Sequence, residues 1–259
     1  MKIKIKIFFV LIMVILAWSL NRVIISMDSA RQSGGEASEA VNQPQNTEKI
    51  DKGNVLWTAI ERKENYNSEL QYYCKDNVTI SDNDLIIISK KEKKESKGYT
   101  SGLIESTSAY LYGYFEFDIR ISEGKGIFPA IWLMPADKTS LPEIDIFEMI
   151  GSEPQDFSGV IHYIDDNGIK QKSYFTKKVI KKDTYKVALS WSENELAWYI
   201  DGELVHKSVN GIPHKYMYII INQAIGGNWP GDPDDKTLFP SSFFVKASKI
   251  NPINGKCRY

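Results

Sequence analysis

Three carboxylic acids lie within six residues in the segment EIDIFE, which runs from Glu143 to Glu148. The segment is otherwise apolar and rich in isoleucine, a composition that is typical of a buried strand. Alternate side chains of a regular strand share a face, so Glu143 and Asp145 point one way and Glu148 points the other way. One extra residue, suggested by Phe147 at the expected acidic position, would form a β-bulge and return Glu148 to the first face. The spacing therefore predicts a bulged strand with three acids on one side and the isoleucines facing the core.

Crowded like charges on a sheet face raise one another's pKa values and do not stabilise a sheet, so this arrangement suggests chemistry. A retaining glycosidase needs an ionised carboxylate as nucleophile and a protonated one as acid, about 5 to 5.5 Å apart across the glycosidic bond. We interpret Glu143 as the candidate nucleophile, Glu148 as the candidate acid/base and Asp145 as a hydrogen-bonding neighbour of the nucleophile. A solvated strand face and a Ca²⁺ site with oxygen ligands are the alternatives from spacing alone.

Length and composition indicate one main domain without a nucleic-acid partner. The chain has 259 residues and 42% hydrophobic content, and all-β domains of more than about 200 residues often form a single unit. A net charge of −1 provides no basic surface of the kind that nucleic-acid-binding proteins carry. The two cysteines, Cys74 and Cys257, either pair in an exported chain or remain free thiols, and the sequence leaves both alternatives open.

Short segments that alternate with period two predict an all-β fold. From about Ile50 onward, apolar and polar residues alternate in LYGYFEFDIRIS (Leu111–Ser122) and in KVALSWSENELAWYIDGELV (Lys186–Val205), as in half-buried strands. Turn residues such as Asp166-Asn167-Gly168 separate these segments, in the manner of hairpin connections. Many short strands at this spacing predict a β-sandwich.

The N-terminus resembles an export signal. Three lysines precede an uncharged apolar run from Ile7 to Leu20, and a run of about 14 residues suits a secretory h-region better than a membrane-spanning helix. Residues 1–25 are predicted to be a signal peptide or an uncleaved signal anchor, 26–48 a polar disordered linker and 49–259 the folded domain. We expect an extracytoplasmic protein that is either secreted or anchored to the outer face of the cell membrane.

EIDIFE also matches the E-x-D-x-x-E signature of glycoside hydrolase family 16, the laminarinase and β-glucanase family. Further segments are similar to family elements and occur in the family's order, over most of residues 54–245. They are NSELQYYCKDNVTI (67–80), YTSGLI (99–104), YGYFEFDIRISEGKGIFPAIWLMP (112–135), GVIHY (159–163), WYIDGELV (198–205) and INQAIGGNWPGDPDDKTLFP (221–240).

The resemblance implies a concanavalin A-like β-jelly-roll of two antiparallel sheets, with a cleft for a polysaccharide chain on its concave face. It gives Glu143 the position of the nucleophile, Asp145 that of an assisting acid and Glu148 that of the acid/base. Trp132 takes the place of an aromatic residue near the scissile sugar, where a flat ring suits a pyranose face. Five further residues in matching segments are candidate sugar contacts, with a structural role as the alternative for each: Asn67, Glu69, His162, Gln223 and Trp229.

The N-terminal signal and the family resemblance together imply an exported, endo-acting, retaining glycoside hydrolase that cleaves β-1,3- or β-1,3-1,4-glucan or a related exopolysaccharide. We expect it to be a monomer. A transglycosylase on the same glycans and a non-catalytic glycan-binding module are the alternatives. No cofactor is expected. A structural Ca²⁺ often attributed to the family draws on terminal segments that differ here, since Lys246 and Lys249 replace the usual Asp and Arg. Phe128 and Pro142 also depart from the family pattern beside the cleft.

Overall fold

The computed structural model of the protein describes residues 56–253 and 256–258. The predicted signal or anchor segment and the linker lie outside the described residues, so the division into domains stays a prediction. Among the described residues, no helix is both long enough and apolar enough to cross a membrane.

The described residues form β-strands joined by turns, with one 3₁₀ helix at Lys75–Asn77. The strands are β1 (Trp57–Ala59), β2 (Gln71–Tyr73), β3 (Val78–Ser81), β4 (Asp84–Ser89), β5 (Tyr99–Ser101), β6 (Leu103–Tyr110), β7 (Gly113–Arg120), β8 (Ile127–Pro135), β9 (Glu143–Glu148), β10 (Asp156–Ile164), β11 (Lys170–Lys178), β12 (Tyr185–Trp191), β13 (Leu196–Ile200), β14 (Glu203–Ser208), β15 (Met217–Ile225), β16 (Ser241–Pro252) and β17 (Lys256–Arg258).

Two antiparallel sheets contain most of these strands. The eight-stranded sheet has the order β1-β6-β15-β8-β9-β10-β11, with β17 also paired to β6, and the seven-stranded sheet has the order β14-β13-β12-β7-β16-β4-β3. Neighbours in a sheet are often far apart in sequence, as where β15 lies between β6 and β8. A short parallel pair, β2 with β5, lies apart from both sheets. This architecture confirms the predicted all-β jelly-roll sandwich.

The main core lies between the two sheets and follows the predicted period-two pattern. On β7, Phe115, Phe117 and Ile119 are fully buried, and the residues between them are partly exposed. Trp191 and Trp198 of the seven-stranded sheet are buried in the same core. Each such large apolar side chain contributes about 1.5 to 3 kcal/mol when fully buried, so this layer holds the sheets together.

A smaller apolar cluster lies on the opposite, outer face of the eight-stranded sheet. Tyr218 and Ile220 of β15 belong to this cluster, and Trp132 and Met134 of β8 pack against it. Leu133, between the last two residues, belongs to the main core instead. The alternation along β8 therefore shows that Trp132 lies on the outer face.

Cys74 is buried as a free thiol, and burial raises its pKa. Of the two alternatives that the sequence left open for this residue, the structure has the free thiol.

Candidate active site

Strand β9 carries a bulge in the middle of EIDIFE. Against β8, Asp145 pairs with Trp132 and Phe147 pairs with Ile131, so two steps along β9 oppose one step along β8. The register against β10 slips in the same way, with three steps along β9 opposite two along β10. These registers confirm the predicted bulge and identify Ile146 as the extra residue.

The bulge brings the three candidate acids to the outer face of the sheet. Directly opposed residues on neighbouring strands point to the same face. Asp145 and Glu148 oppose Trp132 and Ala130 of β8, which are two positions apart and therefore share a face. Glu143 is two residues before Asp145, and the charges of Glu143 and Glu148 both act on Asp145. The predicted return of Glu148 to the face of the other acids is confirmed.

A tryptophan from the opposite sheet holds the bulge from the core side. The indole Nε1 of Trp198 on β13 donates a hydrogen bond to the main-chain carbonyl of Asp145, at 2.9 Å. A bulge disrupts the local ladder, so a carbonyl in it needs another donor. Gly159 leaves room for the ring, because a Cβ at that position would lie 2.8 Å from indole atoms of Trp198.

Burial gives the three acids unusual proton affinities. Desolvation raises the pKa of Glu143 to about 7. Desolvation and then the charge of Glu143 raise the pKa of Glu148 to about 8, although the ammonium of Lys172 lowers it. Burial, followed by the charges of Glu148 and Glu143, raises the pKa of Asp145 well above its usual value. Both glutamates therefore hold a proton to higher pH than an exposed glutamate, and ionisation of Glu143 favours the protonated form of Glu148, as an acid beside a nucleophile requires.

His162 of β10 lies next to these acids. It opposes Glu143 across the β9–β10 pair, and its Nε2 is 3.6 Å from Oδ2 of Asp145. Burial, then the positive charge of Lys172, lowers the pKa of His162, so its imidazole is neutral at pH 7. In the described part of the chain, Asp145 Oδ2 is buried and has no hydrogen-bond partner. A buried oxygen of this kind calls for a functional explanation.

A hydrogen bond to Asn222, which is itself bonded to Tyr73, fixes Trp132 beside the acids. Its Nε1 donates to Oδ1 of Asn222 on β15, at 2.8 Å, and Nδ2 of Asn222 donates to the hydroxyl of Tyr73, at 2.9 Å. Trp132 is half-buried and opposes Asp145, and its predicted contact with a sugar ring stays a prediction. Asn222 and Tyr73 were not predicted from the sequence. Nothing in the segment INQ (221–223) indicates which of its two amide side chains reaches this face.

The family model described as "Glycosyl hydrolases family 16" matches residues 63–239. The chain belongs to glycoside hydrolase family 16. This result confirms the resemblance carried by EIDIFE and its neighbouring segments, and the matched residues form a glycosidase domain.

Two curated proteins and one solved structure illustrate the similarity to family 16. A beta-glucanase of Rhodothermus marinus is 28% identical over 212 residues, which are 71% of this chain and 74% of that protein. Endo-1,3-1,4-beta-glycanase EglC of Rhizobium meliloti is 29% identical over 206 residues, 71% of this chain but only 44% of its own length. The laminarinase catalytic domain from Thermotoga maritima superposes with a TM-score of 0.65 at 25% identity, covering 80% of this chain and 92% of that one.

The spacing of the family 16 acids also bears on the metal alternative. Ligand atoms of Glu143, Asp145 and His162 all lie within 4.8 Å of one another, close enough for a shared cation. Ca²⁺, however, takes oxygen ligands, and one of these three atoms is an imidazole nitrogen. A cation there would also occupy the lone pairs that a nucleophilic carboxylate needs, so the two roles exclude each other at this position.

Gln223 does not lie on the cleft face. Its side chain is fully buried, and its Nε2 donates to the hydroxyls of Ser89 and Ser241, at 2.8 and 3.2 Å. The predicted sugar contact at Gln223 is therefore wrong, and the residue has the structural role that was its alternative. The reason is that Gln223 follows Asn222 directly, and consecutive residues of a strand point to opposite faces.

Three of the other predicted sugar contacts, Asn67, Glu69 and Trp229, lie near one another. Trp229 is 50% exposed, and its ring meets that of Phe128 edge-on, at 5.3 Å between centroids. The carbonyl of Asn67 accepts a hydrogen bond, 2.9 Å long, from the loop that carries Trp229. Glu69 is partly buried, and burial raises its pKa. Phe128 shares a face with Trp132, so this group borders the cleft, and its contacts to sugar remain a prediction.

The Glu148→Gln substitution is expected to stabilise the family 16 domain at alkaline pH. The folded-state pKa of Glu148, about 8, lies above that of an exposed glutamate, about 4.3. Between these values the unfolded state binds fewer protons, so the free energy of unfolding falls as pH rises. We expect a gain of about 4 kcal/mol, or about 10 °C in Tm, at pH 8 and almost none at pH 4.

Thermal unfolding of the wild type and of Glu148→Gln at pH 4 and at pH 8 measures this effect. Glu153→Gln, at an exposed position, is the control and is expected to leave Tm unchanged. An equal gain at pH 4 and pH 8 would show that the substitution acts through packing and not through the proton.

Proposed function

We propose that the protein is an endo-acting glycosidase that cleaves a β-linked glucan with retention of anomeric configuration. The observation that carries this proposal is the bulge at Ile146, which gives Glu143, Asp145 and Glu148 a common face. The charge of an ionised Glu143 also raises the pKa of Glu148, so one acid can be ionised while the other is protonated.

The proposed reaction has two displacement steps. In the first, Glu143 attacks the anomeric carbon while Glu148 donates its proton to the glycosidic oxygen, which leaves with the second sugar as the ester to Glu143 forms. In the second, ionised Glu148 takes a proton from water, the water oxygen attacks the anomeric carbon, and Glu143 is released as a carboxylate. Two inversions give net retention. Burial raises the pKa of Asp145 well above its usual value, and in its protonated form Asp145 can donate a hydrogen bond to Glu143 as the ester forms and breaks.

The substrate class is proposed from the relatives. A beta-glucanase, an endo-1,3-1,4-beta-glycanase and a laminarinase are among them, which supports a β-1,3- or β-1,3-1,4-glucan. The half-buried Trp132 beside the acids supports a pyranose ring at that position, because an aromatic ring and the apolar face of a sugar pack well.

Product analysis tests the proposal. The purified protein is incubated with laminarin, a mixed-linkage β-glucan and a panel of bacterial exopolysaccharides. We expect viscosity to fall faster than reducing ends appear, and NMR of the first products to show the β anomer before mutarotation. The α anomer first would contradict retention. Tight binding of every glycan without turnover would favour the binding module, and ligated products with an added acceptor oligosaccharide would favour the transglycosylase.

We also propose that the protein is exported. Three lysines followed by the apolar run from Ile7 to Leu20 support export, and so does the polar segment that follows, because it can separate the domain from a membrane. Cell fractionation tests the export proposal. Protein confined to the cytosol would contradict export, and a membrane-bound form would favour the uncleaved signal anchor.

A further inference from the structure

Lys172 lies in a row with two residues of the candidate site. On β10, His162 opposes Glu143, and on β11 Lys172 opposes His162. Opposed residues of neighbouring strands share a face, so the three side chains cross the outer face of the sheet side by side. Lys172 is exposed, and β11 ends the strand order of this sheet, so the lysine stands at the edge of the face that carries the acids.

An exposed aromatic ring accompanies this lysine. Tyr174 opposes Val160, which in turn opposes Asp145, so Tyr174 lies on the same outer face one row along. The ring is 61% exposed, and the ammonium of Lys172 is 5.1 Å from its centroid. A flat exposed ring next to a positive charge can pack against a sugar while the charge pairs with an anionic substituent of that sugar.

The charge of Lys172 is available to a ligand. On the other face of the same strand, Lys177 is neutralised by Glu203, at 2.9 Å. In the described part of the chain, by contrast, the ammonium of Lys172 contacts the Tyr174 ring and pairs with no carboxylate. It nevertheless acts on the site, since its charge lowers the pKa of Glu148. The lysine is therefore near the reacting groups and retains its three donors.

We propose that Lys172 and Tyr174 form a subsite that selects β-glycans bearing an anionic group, a carboxylate or a sulfate, on a sugar near the scissile bond. This inference rests on the proposed glycosidase function and names its substrate class. Trp132 lies on β8 and Lys172 on β11, on opposite sides of β9. A glycan that crosses the strands thus meets the aromatic residue on one side of the acids and the cation on the other.

Matched polymers test the subsite. Laminarin is compared with the same polymer after partial carboxymethylation and after partial sulfation, so that the backbone is constant and the source of charge varies. The wild type is expected to cleave at least one charged polymer with a higher kcat/KM than laminarin. Lys172→Gln is expected to reduce that kcat/KM about tenfold more than it reduces kcat/KM for laminarin, the worth of one hydrogen bond to a charged group.

Two controls accompany this comparison. Lys177→Gln changes the same strand on the opposite face and is expected to leave the preference unchanged. Added salt is expected to weaken cleavage of the charged polymer and not that of laminarin, because exposed charges are screened. A comparison of Tm values shows whether Lys172→Gln remains folded.

The outcomes separate this inference from the proposed function. If Lys172→Gln slows cleavage of all polymers equally, the lysine acts on the pKa of Glu148 alone and the subsite is overturned. If the wild type cleaves laminarin and has no preference for either charged polymer, the subsite is overturned and the proposed function survives. If no polymer is cleaved, the proposed function fails, and affinity electrophoresis tests the subsite by itself. The subsite then requires that the charged polymers retard the wild type more than they retard Lys172→Gln, and equal retardation overturns it.

Discussion

Glu143→Ala is expected to lower kcat for β-glucan cleavage by more than about 10⁴-fold, because removal of a nucleophile leaves only binding and the remaining groups. Loss of activity alone would not distinguish its role from that of Glu148. Added azide distinguishes the two roles when the substrate is an aryl β-glycoside of a short β-glucan. In Glu143→Ala, azide can enter the space of the lost carboxylate and attack the anomeric carbon once, so we expect an α-glycosyl azide.

The same aryl β-glycoside and added azide also test the role of Glu148 in the Glu148→Ala variant. An aryl leaving group departs without a proton, so the glycosyl-enzyme ester on Glu143 still forms, but water now lacks a base. Azide needs no base and attacks the ester, and two inversions give a β-glycosyl azide. Chromatography and NMR identify the anomer in each case. A β-azide from Glu143→Ala, or an α-azide from Glu148→Ala, would mean that the roles assigned to the two residues are exchanged.

The bulge was predictable because the sequence contains a conflict. With period two, the third acid of EIDIFE falls opposite the first two, and a large apolar residue, Phe147, occupies the position that an acid should take. Only a slipped register satisfies both the charge pattern and the apolar pattern. The structure resolves the conflict in that way, with Ile146 as the extra residue and Phe147 buried against Phe157, at 4.8 Å between ring centroids.

Other residues of the site carry no such signal. Asn222 and Gln223 are both amides on a fully buried strand, and only the pairing of β15 with its neighbours determines which of them faces the cleft. Strand β11 has polar residues on both faces, so its sequence does not fix the direction of Lys172. The contact of Trp198 with Asp145 joins residues 53 positions apart in different sheets, which local patterns cannot report.

Trp198→Phe is expected to damage both stability and catalysis. It removes the donor to the Asp145 carbonyl and leaves that oxygen buried and unpaired, at about 1 to 3 kcal/mol, and the smaller ring adds a cavity. We expect Tm to fall by about 8 °C. The carbonyl belongs to the bulge, so its release is also expected to shift Glu148 relative to Glu143. A displacement of about 1 Å in a catalytic group lowers kcat about 10²-fold, which initial rates measured well below the lowered Tm will detect.

Trp191→Phe separates the two effects. Trp191 is equally buried, and its indole likewise donates to a main-chain carbonyl, that of Pro213, at 3.2 Å, but the contact is not to β9. The control is therefore expected to lose similar stability while its kcat at the same low temperature stays within about threefold of the wild type, since nothing near the acids moves. If both variants lose the same activity, the effect of Trp198 is general loosening of the core. If only Trp198→Phe loses activity, the hydrogen bond from the core positions the acid/base across the bulge.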